Sequence, residues 1–451
     1  MRPTLFVLAL LTMALSGCSK EETPAGALTA LSISLNGATL ADGAQNVPTS
    51  ASISVVFSAT IDPASFESEF SITGGPLLAD PVLTYANQTS KVTIELELDF
   101  ETTYTFRVGE GAIGKNGERL GSAIMRSFTT LADGIIHALP PCTEASDDCL
   151  QTVSLTADGT ADLSFYASYP IYEDQAEWLD LKAAVIVVHG VNRNADDYFS
   201  YLMNALQAGG VEDEVVLIAP HFKNASEAVA GEFYWSGSDW REGKDAAGSA
   251  SISSFAAVDR LIDRLADPAH FPVLEKIIVT GHSSGGLFTH LFAAANQSAV
   301  DHPELSFTYV VANSQYFYYP DGRRVNEATG QLYTPAGCTG YDLWPLGFEV
   351  VPPYLAGIDP ATYNDRFVDS EVVYLLGNGS GPDNTLNTSD CYATLLGSSR
   401  YQRGENMFLY LELAYPGVHQ HSRTIVEGIG HDGAAMYGSA ALQSLLQQLL
   451  D

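Results

Sequence analysis

The chain reads as an α/β domain of about 300 residues set behind a small all-β sandwich. Three features carry that reading. Continuous apolar runs recur through the last two thirds of the sequence, as expected of strands buried on both faces of a parallel sheet. Helical spacing of apolar residues appears between those runs. Strict period-two alternation dominates the earlier part, where half-buried strands are the simplest explanation. A length of 451 residues suits two or three domains. With 46% hydrophobic residues there is ample material for cores, which excludes general disorder. The formal charge of −33 repels phosphate backbones, so nucleic acid is excluded as a partner. The same acidity suits a secreted, salt-exposed protein.

The first residues form an address. Arg2 precedes an apolar run from Leu5 to Leu15, too short to span a bilayer but suited to a signal-peptide core. The run ends in Leu15-Ser16-Gly17-Cys18, which resembles the lipobox of bacterial lipoproteins. The resemblance implies a signal peptide over 1–17 and a lipid on Cys18. Acyl chains gain about 0.8 kcal/mol per buried methylene, so a multiply acylated Cys18 is a durable membrane anchor. Ser19 rather than Asp follows, which by the same resemblance implies the outer membrane of a bacterial envelope. The alternative is an ordinary secretory signal with a coincidental cysteine. Residues 18–26 read as a tether.

Four further cysteines, Cys142, Cys149, Cys338 and Cys391, are an even number for an oxidising compartment. Neighbours in sequence suggest Cys142–Cys149 and Cys338–Cys391. Loop-closure entropy assigns about 2.5 kcal/mol to the first and about 4 to the second. No pair has zinc-ligand spacing with a nearby His, so neither metal nor cofactor is expected.

Residues 27–131 contain the alternating runs Ser52 to Phe57, Val92 to Leu98 and Thr103 to Val108. The string Phe57-Ser58-Ala59-Thr60-Ile61-Asp62-Pro63, then Tyr104-Thr105-Phe106 and Arg126-Ser127-Phe128-Thr129-Thr130, resembles bacterial Ig-like domains. The segment shows no cluster of exposed aromatics, which favours a spacer over a carbohydrate- or polymer-binding module. Residues 132–150, with Pro140-Pro141 and the small cysteine loop, read as a connector.

From 151 to 451 the texture changes. Ala183 to Val188, Glu214 to Ala219, Lys276 to Thr280, Tyr309 to Ala312 and Glu371 to Leu376 read as buried strands. Thr152 to Tyr169 reads as a hairpin supplying antiparallel edge strands. Ser251 to Ala266 places Ile252, Phe255, Val258, Leu261, Ile262 and Leu265 at helical spacing.

One of these strands runs into Gly281-His282-Ser283-Ser284-Gly285-Gly286 and then into Leu287-Phe288-Thr289-His290-Leu291-Phe292. This is strand, sharp turn, helix, with G-x-S-x-G at the turn. A serine in that strained position needs neighbours without side chains where strand and helix nearly touch. The helix brings backbone N–H groups and its positive end to a developing oxyanion. Ser283 is therefore the candidate nucleophile.

With this motif the region 151–451 resembles the α/β-hydrolases. The resemblance implies a mostly parallel sheet with helices on both faces and a Ser-His-Asp triad. His189-Gly190-Val191-Asn192 resembles the family's His-Gly oxyanion loop, which implies donors at the N–H groups of Val191 and Ser284. His189 itself is read as structural. The family's base sits in a Gly-x-Gly-His setting beyond the last strand, which implies His431 in Gly428-Ile429-Gly430-His431. His419 and His421 precede that strand, and His282 and His290 read as packing residues. The acid follows the penultimate strand, in Gly377-Asn378-Gly379-Ser380-Gly381-Pro382-Asp383. Many relatives carry an Asp where this chain has Ser380. Asp383 is the first carboxylate and is favoured; Asp390 is the alternative.

Two aromatic stretches fall beyond strand ends, where open α/β sheets bind ligands. Tyr234, Trp235, Trp240 and Tyr316 are the candidate pocket residues. The insertion from Asp321 to Arg366 is a candidate partial lid. The leading reading is an envelope or secreted serine hydrolase of small or polymeric carboxylic esters. A peptidase or amidase with the same triad, and a surface-anchored binding protein with a decayed triad, are the alternatives.

Overall fold

The computed structural model describes residues 27–131 and 139–450. The signal segment, Cys18, the tether and residues 132–138 lie outside them. The chain divides into two compact units, one up to residue 134 and one from residue 135.

The first unit is a β-sandwich. One sheet has Ala38–Thr39, Ala30–Leu35, Ser50–Phe57, Lys91–Glu97 and Val82–Ala86 as neighbours; the other has Ala44–Val47, Ile124–Thr130, Thr103–Val108 and Phe70–Thr73. Alternation decides which side chains go inside. Ile53, Val55, Phe57, Val92, Ile94 and Leu96 meet Tyr104, Phe106, Val108 and Phe128 in one core. The Asp62-Pro63 step starts a short helix, Pro63–Glu69: Asp62 accepts from the Ser65 N–H at 2.9 Å and Pro63 stands where no donor is needed.

The second unit is built on an eight-stranded sheet. Its strands are β1 (Leu150–Ala157), β2 (Gly159–Ala167), β3 (Ala183–Val188), β4 (Val215–Pro220), β5 (Lys276–His282), β6 (Ser306–Ala312), β7 (Glu371–Gly377) and β8 (Ser422–Val426). Their order is β1-β2-β4-β3-β5-β6-β7-β8. β1, β2 and β4 pair antiparallel, as the hairpin reading anticipated, and every pair from β4 to β8 is parallel. The apolar runs are continuous because both faces are covered. Ala184, Ile186 and Val188 enter one core with Ile277 and Val279, while Ala183, Val185 and Val187 enter the other with Ile278. Leu287 and Leu291 of one helix close the first face, and Phe199, Leu202, Leu442 and Leu445 of two others close the second.

The helix expected from apolar spacing runs Ser254–Leu265, and its Ser253 cap accepts from the Phe255 N–H at 3.1 Å. Both disulfides pair as expected from sequence order. The Cys142–Cys149 loop is not a free connector. Cys149 is fully buried in a core of the second unit, and the Cys142 N–H donates to Ser168 O at 2.7 Å. The insertion from 321 to 366 is packed down by buried Arg324. Its guanidinium donates to the carbonyls of Asp321, Arg323, Tyr341 and Leu346 and to the Asp342 carboxylate, and lies over Tyr319 at 4.3 Å.

Candidate active site

The chain turns sharply where β5 ends. Ser283 has φ 61° and ψ −113°, a conformation that costs a side-chain-bearing residue strain and persists only when its surroundings impose it. They do. The Ser283 N–H donates to Ala312 O of β6 at 2.9 Å, and the helix Ser284–Ala295 begins at the next residue. A methyl on Gly281 would stand 2.3 Å from the Gly285 carbonyl oxygen, and one on Gly285 would stand 2.1 Å from that of Val188. Only hydrogens fit at both positions. Parallel sheet, covering helices and a strained strand-to-helix serine now stand together. The second unit has the α/β-hydrolase fold.

The loop after β3 faces this turn. His189 is buried, its Nε2 accepting from the Phe222 N–H at 3.1 Å and its Nδ1–H donating to Gly190 O at 2.9 Å. Burial pushes its pKa down to about 3, so the ring is a neutral spacer, in agreement with its structural reading. Arg193, in the left-handed region at φ 59°, donates to Phe222 O at 2.6 Å and Gly237 O at 2.7 Å. These bonds fix the loop that carries Val191, whose N–H meets no acceptor among the described residues. Ser284, as the first residue of its helix, has no intrahelical acceptor for its own N–H.

His431 and Asp383 come from two loops sealed to each other. The Gly379 N–H donates to Ile429 O at 2.8 Å, and the Gly428 N–H to Asn378 Oδ1 at 2.8 Å. A methyl on Gly377 would lie 2.4 Å from Ile429 O. Asn313, just past β6, accepts from the Gly377 N–H at 2.9 Å and donates to Gly430 O at 2.8 Å, tying both loops to the sheet. The His431 ring stacks on His282, the residue before Ser283, with centroids 4.8 Å apart. Its Nδ1 lies 3.5 Å from Asp383 Oδ1 and 3.3 Å from Thr385 Oγ1. Its Nε2 is buried and has no hydrogen-bond partner among the described residues.

Two residues beyond those read from sequence organise Asp383. Arg400, buried at the start of the helix Arg400–Ala414, donates Nε to Asp383 Oδ2 at 2.5 Å and Nη2 to Thr385 Oγ1 at 2.8 Å. Thr385 Oγ1 donates to Asp383 Oδ1 at 2.7 Å, which leaves its lone pairs for Arg400 and for His431 Nδ1–H. Burial pushes the Asp383 carboxyl up, but hydrogen bonds from Arg400 and Thr385 and the Arg400 charge outweigh it and hold the pKa at about 2. Burial, then the Arg400 charge, pushes His431 down to about 4 against the opposing pull of Asp383 and Asp432. His282, read from sequence as a packing residue, backs the ring of His431, and Tyr198 Oη lies 2.9 Å from its Nδ1.

Asp390 is elsewhere. Its exposed carboxylate accepts from Asn387 Nδ2 at 2.8 Å and Tyr392 Oη at 2.9 Å. His290 and His421 are buried in packing, bonded to the carbonyls of Tyr318 and Phe367.

The aromatic candidates separate. Trp235 and Trp240 are buried against Phe222, and Trp240 also lies 4.5 Å from His189, so they are core, not pocket wall. Tyr234 borders a different cavity with Thr160, Ala228 and Ala250 near the sheet edge. Tyr316 does line a cavity of about 290 Å³, with Glu242, Leu343, Trp344, Tyr392 and Arg241, whose Nη1 reaches Ser284 Oγ. The insertion thus supplies one wall.

Residues 29–130 match the family model described as bacterial Ig-like domain, which makes the first unit such a domain. No curated protein matches the chain. Among solved structures, it is similar to a poly(3-hydroxybutyrate) depolymerase from Bordetella parapertussis, with 20% identity over 67% of this chain and 92% of that one and a TM-score of 0.47. A poly(aspartic acid) hydrolase from Sphingomonas sp. KT-1 gives 18% identity, 67% and 98% coverage and a TM-score of 0.45. MPT51 of Mycobacterium tuberculosis gives 15%, 67%, 97% and 0.36.

Proposed function

We propose that the second unit is a serine hydrolase of carboxylic esters, with Ser283 as nucleophile, His431 as base and Asp383 as acid. One observation carries the reading: the imidazole of His431 lies on the ring adjoining a strained Ser283, with Nδ1 turned to Asp383 and Thr385 and Nε2 unengaged. That fixes the tautomer. Nδ1 holds the proton, so Nε2 is the basic nitrogen. Ser283 Oγ and His431 Nε2 are not hydrogen-bonded in this geometry; such bonds tighten when substrate is bound.

In the reaction, Ser283 Oγ attacks the ester carbonyl carbon as its proton passes to His431 Nε2. The tetrahedral oxygen accepts from the N–H groups of Val191 and Ser284, each worth roughly 3 kcal/mol in transition-state stabilisation. Collapse expels the alcohol, which takes the proton from His431, and leaves an acyl-enzyme on Ser283. Water then repeats the sequence and releases the acid. Asp383 stabilises the imidazolium formed in each half.

The Ig-like domain acts in this proposal as a spacer, and Cys18 as the lipidated anchor that holds the enzyme at the bacterial envelope. Intact-mass analysis of the membrane fraction tests the anchor; an unlipidated Cys18 removes it. Purified protein lacking residues 1–26, offered a short-chain 4-nitrophenyl ester beside Ser283→Ala, tests the enzyme. Equal rates from the two proteins would refute the reading.

A further inference from the structure

We infer that the cavity beside Ser284 selects esters that carry a free carboxylate, and that Arg241 is the residue that reads it. The inference rests on the ester-hydrolase reading and adds the substrate class.

Arg241 lies on the short helical turn Asp239–Glu242 and is mostly buried, its side chain 19% exposed. A guanidinium has five N–H donors. Here one hydrogen bond is made among the described residues, Nη1 to Ser284 Oγ at 3.2 Å. The buried Nε makes none. Its nearest carboxylate, Glu242, is 3.6 Å away with the other oxygen held by Lys244 Nζ at 2.7 Å; Lys244 also lies 3.4 Å from Asp239. Lys244 thus shares the charge of Glu242, and Arg241 keeps unused donors beside Ser284, the residue after the candidate nucleophile. Stacking against Tyr316 at 5.6 Å holds the guanidinium plane, a preorganised fork for a carboxylate.

Glu242, held by Lys244, lines the small cavity in front of Arg241, whose other walls are the aromatic and aliphatic side chains of Tyr316, Leu343, Trp344, Leu346 and Tyr392. They fit a short alkyl or aromatic stem ending in a carboxylate. Monoesters of dicarboxylic acids and hydroxy-acid oligomers with a free acid end share that chemistry. A neutral ester of equal length fills the same walls but leaves the fork unpaired.

The test compares two probes that differ in one charge, 4-nitrophenyl hydrogen adipate and 4-nitrophenyl methyl adipate, near neutral pH. The readout is the ratio of their kcat/KM values, in which any general loss of activity cancels. The wild-type ratio is expected to favour the anionic probe about tenfold or more. Arg241→Gln brings the ratio to about one. Arg241→Lys, which keeps charge without the fork, falls between and serves if the glutamine variant does not fold. A wild-type enzyme that is active but indifferent to the charge, or a folded R241Q with the wild-type ratio, overturns this inference alone. Wild type no faster than Ser283→Ala overturns the ester-hydrolase reading and takes this one with it.

Discussion

Arg400→Gln probes the residue on which the proposed acid, Asp383, depends most. The wild-type guanidinium is 5% exposed and bonds Asp383, Thr385 and the Asn313 carbonyl. Removing one partner of a buried pair costs about 3–5 kcal/mol, and because the Asp383 side chain keeps some solvent the lower end, about 3, applies. The catalytic effect is separate. As the proposed base, His431 works only when neutral, so a pKa of about 4 places the acid limb of kcat/KM near pH 4. The Arg400 charge is one of the two causes of that low value, and removing it lets His431 rise toward its ordinary value of about 6.5. The limb therefore moves up in pH. Losing the clamp on Asp383 also loosens the imidazole, and a misplacement of this kind lowers kcat roughly tenfold to a hundredfold. The assay is ester hydrolysis from pH 3 to 8, beside unfolding followed by tryptophan fluorescence. All four tryptophans, Trp178, Trp235, Trp240 and Trp344, lie in the second unit, so the signal reports on it alone. A folded R400Q whose acid limb stays at about 4 refutes the electrostatic argument.

Three further outcomes follow from the geometry. Asp383→Asn should lower kcat by about 10² to 10⁴, whereas Asp390→Asn, altering a carboxylate that faces Asn387 and Tyr392, should stay within about twofold of wild type; steady-state kinetics of the pair decides. Gly285→Ala forces a methyl to within 2.1 Å of Val188 O, and either the elbow or β3 must move; a loss of kcat of at least about a hundredfold with a lowered melting temperature is expected. Stability should fall as pH drops from about 6.5 to about 4. His189, His290, His421 and His431 all have pKa values lowered by burial, to about 3 or 4, so in that window the unfolded chain binds protons that the folded one refuses. Each adds about 1.4 kcal/mol per pH unit, while Asp259, raised to about 7 by burial, opposes them with one. Urea titrations across the window check the sign.

The sheet was legible because its strands have no solvent side. Ala183 to Val188 is apolar throughout, and such a run excludes a half-exposed strand without any tertiary information. The elbow was legible because steric demand fixes glycine at 281 and 285, and the demand is local. Arg400, Thr385 and Asn313 were not. Each acts through a partner distant in sequence, from 15 residues between Thr385 and Arg400 to 117 between Asn313 and Gly430, and no local pattern announces such a bond. The tryptophans misled for a related reason. A ring in a loop beyond a strand end can face a cavity or turn inward, and Phe222 and His189 provide an inward face that composition does not reveal.

If Asp383 is the acid, as proposed, its place in the loop explains the guanidinium beside it. Asp383 stands on a glycine-rich loop after β7 with Ser380 ahead of it, and the loop's glycines leave the backbone more freedom to lose than other residues would. Left to the Pro382-Asp383 turn alone, the carboxylate has little to keep it near His431. Arg400 restrains it from a rigid helix, and Thr385 shares both the carboxylate and the guanidinium. That restraint has an electrostatic cost. A carboxylate held at about 2 shares its charge with Arg400 and stabilises the imidazolium less than a free one would. In the proposed triad the geometry accepts a weaker partner for His431 in exchange for a fixed one, as suits an acid whose main task is to hold the tautomer and orientation of the base.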